Sequence, residues 1–405
     1  MLTYRPARMR FGAFLAPFHG LGDSPTLALE RDMQLVEILE DLDYDEAWIG
    51  EHHSGGAEII GSPELFIAGA AARTKRIMLG TGVVSLGYHN PMILADRMVQ
   101  LDHQTRGRVM FGVGPGQLPA DAFMMGIHPK DQRTMMNQSL EAMIELFAGR
   151  TVTMDAGWFK LVDARLQILP YQAPRMEMAI ACTFTPNGPV VAGKHGLSML
   201  SVAASTGMGA AALPDHWRIC AEVAAENGQT VHRDNWRVVV PIHIAPTREQ
   251  AWKEVAEGII PNVINYLRGI GGAPMREALA GVVTGDDAVK LWTTEGINPF
   301  GVLTLGTPDD IAARIEGLLD QSGGFGRFLC LAHNAANWTA TKLSYESLAR
   351  HVMPRFQHSD RRAQSAEYTT VKADEFIQPM VEAMGQSFVE HASRMKTEAE
   401  WPPKA

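Results

Sequence analysis

Eight times between residues 10 and 331 a short β-branched or apolar run gives way to a longer segment of helical period, and this alternation constrains the chain more than any other feature of its sequence. Strand and helix repeating in that order build parallel units, because parallel neighbours need a long crossover and a helix supplies it. Strands are expected near 10–16, 46–52, 77–85, 108–114, 176–182, 197–203, 236–245 and 325–331. Helices are expected near 25–41, 63–74, 91–104, 130–148, 187–195, 212–228, 247–269, 308–321 and 338–352. Ser62-Pro63 and Thr307-Pro308 pair a capping residue with proline at the first helical position, which supports two of those boundaries. Eight units of this kind favour an α/β fold with a single parallel barrel.

Two stretches break the alternation. Residues 151–175 read as an inserted hairpin turning at Asp155-Ala156-Gly157. Residues 270–300 are rich in glycine and turn formers, with a helical stretch VTGDDAVKLWTTEG, and are expected to lie over the barrel mouth as a mobile lid. The remaining 357–405 begin polar and continue as an amphipathic helix over 372–397 that serves no ninth strand. It is read as a dimerisation arm.

The net charge of −9 argues against a nucleic-acid partner, which favours a basic face. No run of about 18 apolar residues is present to form a membrane span. The apolar stretch of the first residues is short and interrupted by Gly12, Pro17 and His19, so it reads as a leader into the first strand and not as an export signal. Cys182, Cys220 and Cys330 are far apart and form no CxxC pair, which fits a reducing, cytoplasmic setting.

Parallel barrels gather their chemistry where strands end, at the C-terminal face. There, directly after Ala47-Trp48-Ile49-Gly50, stand Glu51, His52 and His53. Histidine is the side chain best suited to moving protons near neutrality. Three adjacent residues do not converge readily on one ion, and no HxxxH spacing completes a set, so no metal is expected. Neighbours along a strand point to opposite sides, and His52 is taken as the one that enters the pocket, with His53 beside it. Gly80-Thr81-Gly82-Val83-Val84 is small at its centre and would let a flat ring approach the backbone. Asn90-Pro91 reads as a helix cap. Cys182-Thr183-Phe184-Thr185-Pro186-Asn187-Gly188 joins a strand to a helix, where free N–H groups and the hydroxyls of Thr183 and Thr185 would attract a phosphate. Ser201 and Ser205, after the sixth strand, are candidates to complete that site. Met124-Met125 and Met135-Met136 offer adaptable side chains for an irregular apolar substrate.

The ordered blocks FGAFLAPF, WIGEHH, LGTGVVSLGYHNP, DHQTRGRVMFGVGPG and HVMPRF resemble the bacterial luciferase family of flavin-dependent monooxygenases, most of all its limonene monooxygenase-like branch. The resemblance covers residues 9–356 and implies a dimeric (β/α)8 TIM barrel that takes FMN as FMNH2 from a separate flavin reductase. With O2 it would form a flavin C4a-peroxide that oxygenates an apolar small-molecule substrate such as a terpenoid, ketone or aldehyde. It places His52 at the flavin's reactive edge, implies a non-prolyl cis peptide at Gly82–Val83, and adds a flavin contact from Asn90. At Gly114-Pro115 the chain departs from luciferase, which carries a Cys and an Arg there, so a phosphate clamp is missing and the Thr183, Phe184 and Thr185 turn is the expected substitute. Gly114 itself is expected to line the cofactor site. Two rival readings share the fold: a hydride-transferring oxidoreductase using a deazaflavin, and a flavin-binding protein without catalysis.

Overall fold

The computed structural model describes residues 3–297, 300–357 and 361–399. Eight parallel strands close into a barrel: β1 (Arg10–Leu15), β2 (Glu46–Ile49), β3 (Met78–Thr81), β4 (Val109–Gly114), β5 (Met178–Cys182), β6 (Ser198–Ser201), β7 (Arg237–Ile244) and β8 (Arg327–Ala332). Each pairs with the next, and β8 returns to β1. The fold is therefore the expected (β/α)8 barrel.

Alternation along each strand divides its side chains between two cores. Trp48, Met110, Ala179, Leu200, Val239 and Leu329 point into the barrel. Their neighbours, among them Phe11, Ile49, Phe111, Val238 and Phe328, pack beneath the helices. The flat ring that the glycines of β3 and β4 admit is the protein's own: a Cβ on Gly80 or Gly112 would lie 2.6 or 2.8 Å from the Trp48 indole. Below Trp48, the Arg237 guanidinium sits 4.5 Å from the ring centre. Arg237 then binds Glu46 at 2.9 Å and Glu177 at 2.7 Å, and Arg327 binds Glu46 at 2.7 Å. This buried network fills the N-terminal end of the barrel and directs ligands toward the opposite mouth.

The hairpin forms, with Val152–Asp155 antiparallel to Lys160–Ala164. Gly157 at its turn takes φ +81°, a conformation open to glycine. In the region expected as a lid the helical stretch forms as read, and the glycine-rich part before it is helical too. Helices Asn265–Ile270, Gly272–Ala278 and Gly285–Thr294 surround a core of Ile264, Leu267, Leu279, Val289 and Trp292. Residues 298–299 of the expected lid lie outside the described residues. The alternating apolar positions at helical spacing carry this insertion, and its glycines sit at the junctions between helices.

Residues 1–357 and 358–405 form separate compact units. In the second, the polar stretch forms the helix Arg361–Val371, and the expected amphipathic helix follows as Ala373–Ala399. Residues 358–360 and 400–405 of the expected extension fall outside the described residues.

Candidate active site

Strand β2 stops at Ile49, three residues before the expected end, so Glu51, His52 and His53 lie on the loop above the barrel and alternation no longer separates them. Gly50 makes the exit possible by lying against the carbonyls of Leu15 and Gly82. The two histidines then turn to different acids. His52 Nε2 is 3.0 Å from Glu58 Oε2, and its Nδ1 is 3.8 Å from Asp121 Oδ2. His53 Nε2 lies 3.1 Å from Glu51 Oε1, an atom it shares with His89 Nε2 at 2.6 Å. The other Glu51 oxygen accepts from the Ser85 N–H at 2.6 Å.

These acids are anchored in turn. Asp121 accepts from the Ser54 hydroxyl and from the His53 N–H. Glu58 accepts from the Tyr266 hydroxyl at 2.7 Å, which ties the His52 loop to the helical insertion. The electrostatic outcome follows from this arrangement. Burial alone would push the His52 pKa down, but Glu58 and Asp121 overcome that and raise it to about 10, so the ring is an imidazolium at neutral pH. The bond to Glu51 likewise raises His53. Burial pushes the Glu51 carboxyl up, yet its bonds from His53 and His89 hold it below the usual range. A charged imidazole can give a proton but cannot take one, so His52 is equipped as an acid.

Around this loop the other expected residues fall in three groups. The Gly82–Val83 peptide is cis, as the resemblance implied. Val83 is half-buried and packs with Phe14, Val202 and Phe300 on the interior cluster, while Gly114 leaves room for Val83, whose Cγ2 would be 2.6 Å from an added Cβ. Thr183 and Thr185 are half-buried, and Phe184 is 43% exposed. Beside that turn lies His216, a buried ring next to the Phe184 backbone.

Three residues behave otherwise. Ser201 is fully buried, and its hydroxyl accepts from Trp236 Nε1 at 2.9 Å in the shell beneath the helices, because alternation gives the inward position to Leu200. It is thus withdrawn from the cofactor site. Ser205 is also buried, its hydroxyl directed to the Phe300 carbonyl at 3.5 Å under the insertion. Asn90 is exposed, and its Oδ1 caps a helix by accepting from the Met92 and Ile93 N–H groups.

A groove of about 700 Å³ opens beside the mouth between Tyr88, His89, Met125, Met135, Trp158 and Phe159. Of the methionines expected to line a pocket, Met125 and Met135 do so, Met124 faces solvent and Met136 belongs to the core. Among the described residues no cluster of His, Cys, Asp and Glu is arranged to hold a metal ion, and no helix is long and apolar enough to cross a membrane.

A model of the luciferase-like monooxygenase family matches residues 9–324. The chain belongs to this family. Among luciferase-like relatives it is 45% identical over 349 residues to the limonene 1,2-monooxygenase of Rhodococcus erythropolis, covering 86% of this chain and 87% of that protein. It is 40% identical over 361 residues to the 4-hydroxyprotoasukamycin monooxygenase of Streptomyces nodosus subsp. asukaensis, covering 87% and 93%. The oxygenating constituent of 3,6-diketocamphane monooxygenase from Pseudomonas putida, solved in complex with FMN, superposes with a TM-score of 0.69 at 24% identity over 85% of this chain and 98% of that one, which shows the shared fold. This luciferase-like enzyme is a monooxygenase, an oxidoreductase. Sequence reasoning missed the acids that hold its histidine. Glu58 lies only five residues beyond His53 and carried a signal, whereas Asp121 reaches the loop through the fold alone.

Replacing Glu58 tests this electrostatic arrangement. Glu58→Gln removes one of two carboxylates and is expected to lower the His52 pKa by about one unit or more. The alkaline limb of the rate profile then moves to lower pH by the same amount. An unmoved limb would show that His52 is not the titrating group.

Proposed function

We propose that the protein is the oxygenase of a two-component system that takes FMNH2 from a separate flavin reductase and places one oxygen atom of O2 into a small apolar substrate such as a terpenoid, ketone or aldehyde. The observation that carries this reading is the His52 ring set between the carboxylates of Glu58 and Asp121 on the loop above the apolar barrel interior. The names of the relatives, limonene 1,2-monooxygenase above all, support the substrate class.

The residues present fit a flavin. Val83, Val202 and Phe300 are half-buried over a dry floor of Trp48, Met110 and Leu331, and would seat an aromatic ring. The Thr183–Thr185 turn would hold the phosphate, with the buried His216 ring behind it as a further donor. Reduced FMN, when bound, supplies the electrons that activate oxygen. The protein's part is to exclude water from the apolar mouth, to orient the substrate, and to offer a proton from His52 while Glu58 and Asp121 hold the ring in place. The groove at Met125, Met135 and Trp158 gives an apolar molecule its approach.

The phosphate assignment is open to direct measurement. Thr183→Ala with Thr185→Ala is expected to weaken FMN binding about tenfold or more, the loss of hydrogen bonds to a charged group. Unchanged affinity by equilibrium dialysis would move the phosphate elsewhere. A deazaflavin enzyme on this fold would ignore oxygen, so oxygen uptake dependent on both FMNH2 and substrate separates the two chemistries.

A further inference from the structure

The helix Ala373–Ala399 lies beyond the residues the family model matches and takes no part in the reaction proposed above. Its apolar side chains Phe376, Ile377, Met380, Val381, Met384 and Phe388 are all exposed. They recur at steps of three and four, so they share one side of the helix. A continuous apolar stripe of this kind marks a surface that another molecule covers.

The order of residues identifies the cover. Met384 stands near the middle, with Met380 four positions before it and Phe388 four after. Phe376 and Ala392 are each eight positions away, and Asp374 and Arg394 each ten. Laid antiparallel on a copy of itself with Met384 on the two-fold axis, the helix would bring Met380 opposite Phe388, Phe376 opposite Ala392, and Asp374 opposite Arg394. The other acids in this span, Glu375, Glu382 and Glu390, would come opposite Ser393, Gln386 and Gln378. No like charges meet between Asp374 and Arg394. Just outside, Lys372 would face Lys396, but Lys372 is already paired with Glu375 at 2.8 Å. A parallel pairing would instead set every one of these acids against its own copy. A two-fold axis demands a self-complementary surface, and this stripe has one.

We infer that this helix is a dimerisation element that pairs antiparallel with the same helix of a second copy of the chain, centred on Met384. The pairing is argued from the helix alone, so its test needs no activity assay. The native cysteines Cys182, Cys220 and Cys330 are buried and contribute little background. In the full-length protein, Met384→Cys is expected to give a covalent dimer in at least half of the chains under mild oxidation. Asp374→Cys alone is expected to give none above wild type, whereas an equimolar mixture of Asp374→Cys and Arg394→Cys, unfolded and refolded together, is expected to cross-link with a short bis-maleimide. Absence of the Met384→Cys dimer would overturn the proposal. So would Asp374→Cys chains that link to one another as readily as to Arg394→Cys, which would mean a parallel pairing.

Discussion

His52→Ala is expected to lower turnover about a hundredfold while FMN affinity stays within a factor of about two. A positioned acid contributes roughly 10²–10⁴ in rate, and the ring's two carboxylate partners are side chains of the protein, so its loss removes a proton donor without removing a cofactor contact. The loss corresponds to about 2.7 kcal/mol of transition-state stabilisation. His53→Ala is expected to do less, because His89 still reaches Glu51 at 2.6 Å. Turnover measured under saturating FMNH2 decides the point, and a His52→Ala enzyme of normal rate would remove the imidazole from the chemistry. The folded protein also responds to pH through this residue. His52 titrates at about 10, above its ordinary 6.5, so its contribution to stability is complete below about pH 6.5 and disappears as pH rises toward 10.

The second large effect lies at the other end of the barrel. Glu46→Ala is expected to destabilise the protein by about 3–5 kcal/mol, because it leaves the buried Arg237 and Arg327 sharing Glu177 alone. Burial pushes the Glu46 carboxyl up, but Arg237 and Arg327 overcome this and hold it at about 2, below its ordinary 4.5. A depressed carboxylate stabilises the fold above its unfolded pKa and loses that contribution as pH falls toward 2. Urea unfolding at neutral pH should therefore show the deficit, and the difference between variant and wild type should shrink as the solution is acidified. An equal deficit at pH 3 and pH 7 would contradict the assignment to this ion network.

The barrel was legible because each of its eight strands combines an apolar run with a helix that follows it, and periodicity reports such units directly. The site was legible in part. Glu51-His52-His53 announced itself by composition at a strand end, but where the strand stops depends on Gly50 meeting Leu15 and Gly82 across the sheet, which no local pattern encodes. Ser201 was misplaced for a related reason: near a strand end, a slip of one residue exchanges the barrel interior for the outer shell. Gly80 and Gly82 signalled a flat ring without saying whose, and the answer for Gly80 is Trp48. Asp121 and Tyr266 reach the histidine loop from 68 and 208 positions away from their partners His53 and Glu58, distances at which only tertiary structure brings residues together. The insertion was harder still, since its glycines join short helices where they suggested irregular chain.

In the proposed reaction the barrel mouth transfers one atom of molecular oxygen to an apolar substrate with electrons from FMNH2. Incubation of the protein with a flavin reductase, FMN, NADH and limonene under ¹⁸O₂, followed by mass spectrometry of the product, tests it most directly. One ¹⁸O atom per product molecule is expected, with formation that requires the oxygenase and FMN and a rate that falls about a hundredfold in His52→Ala. Product carrying oxygen from water, or no oxygenated product across a panel of terpenes, ketones and aldehydes while FMNH2 is bound, would contradict it.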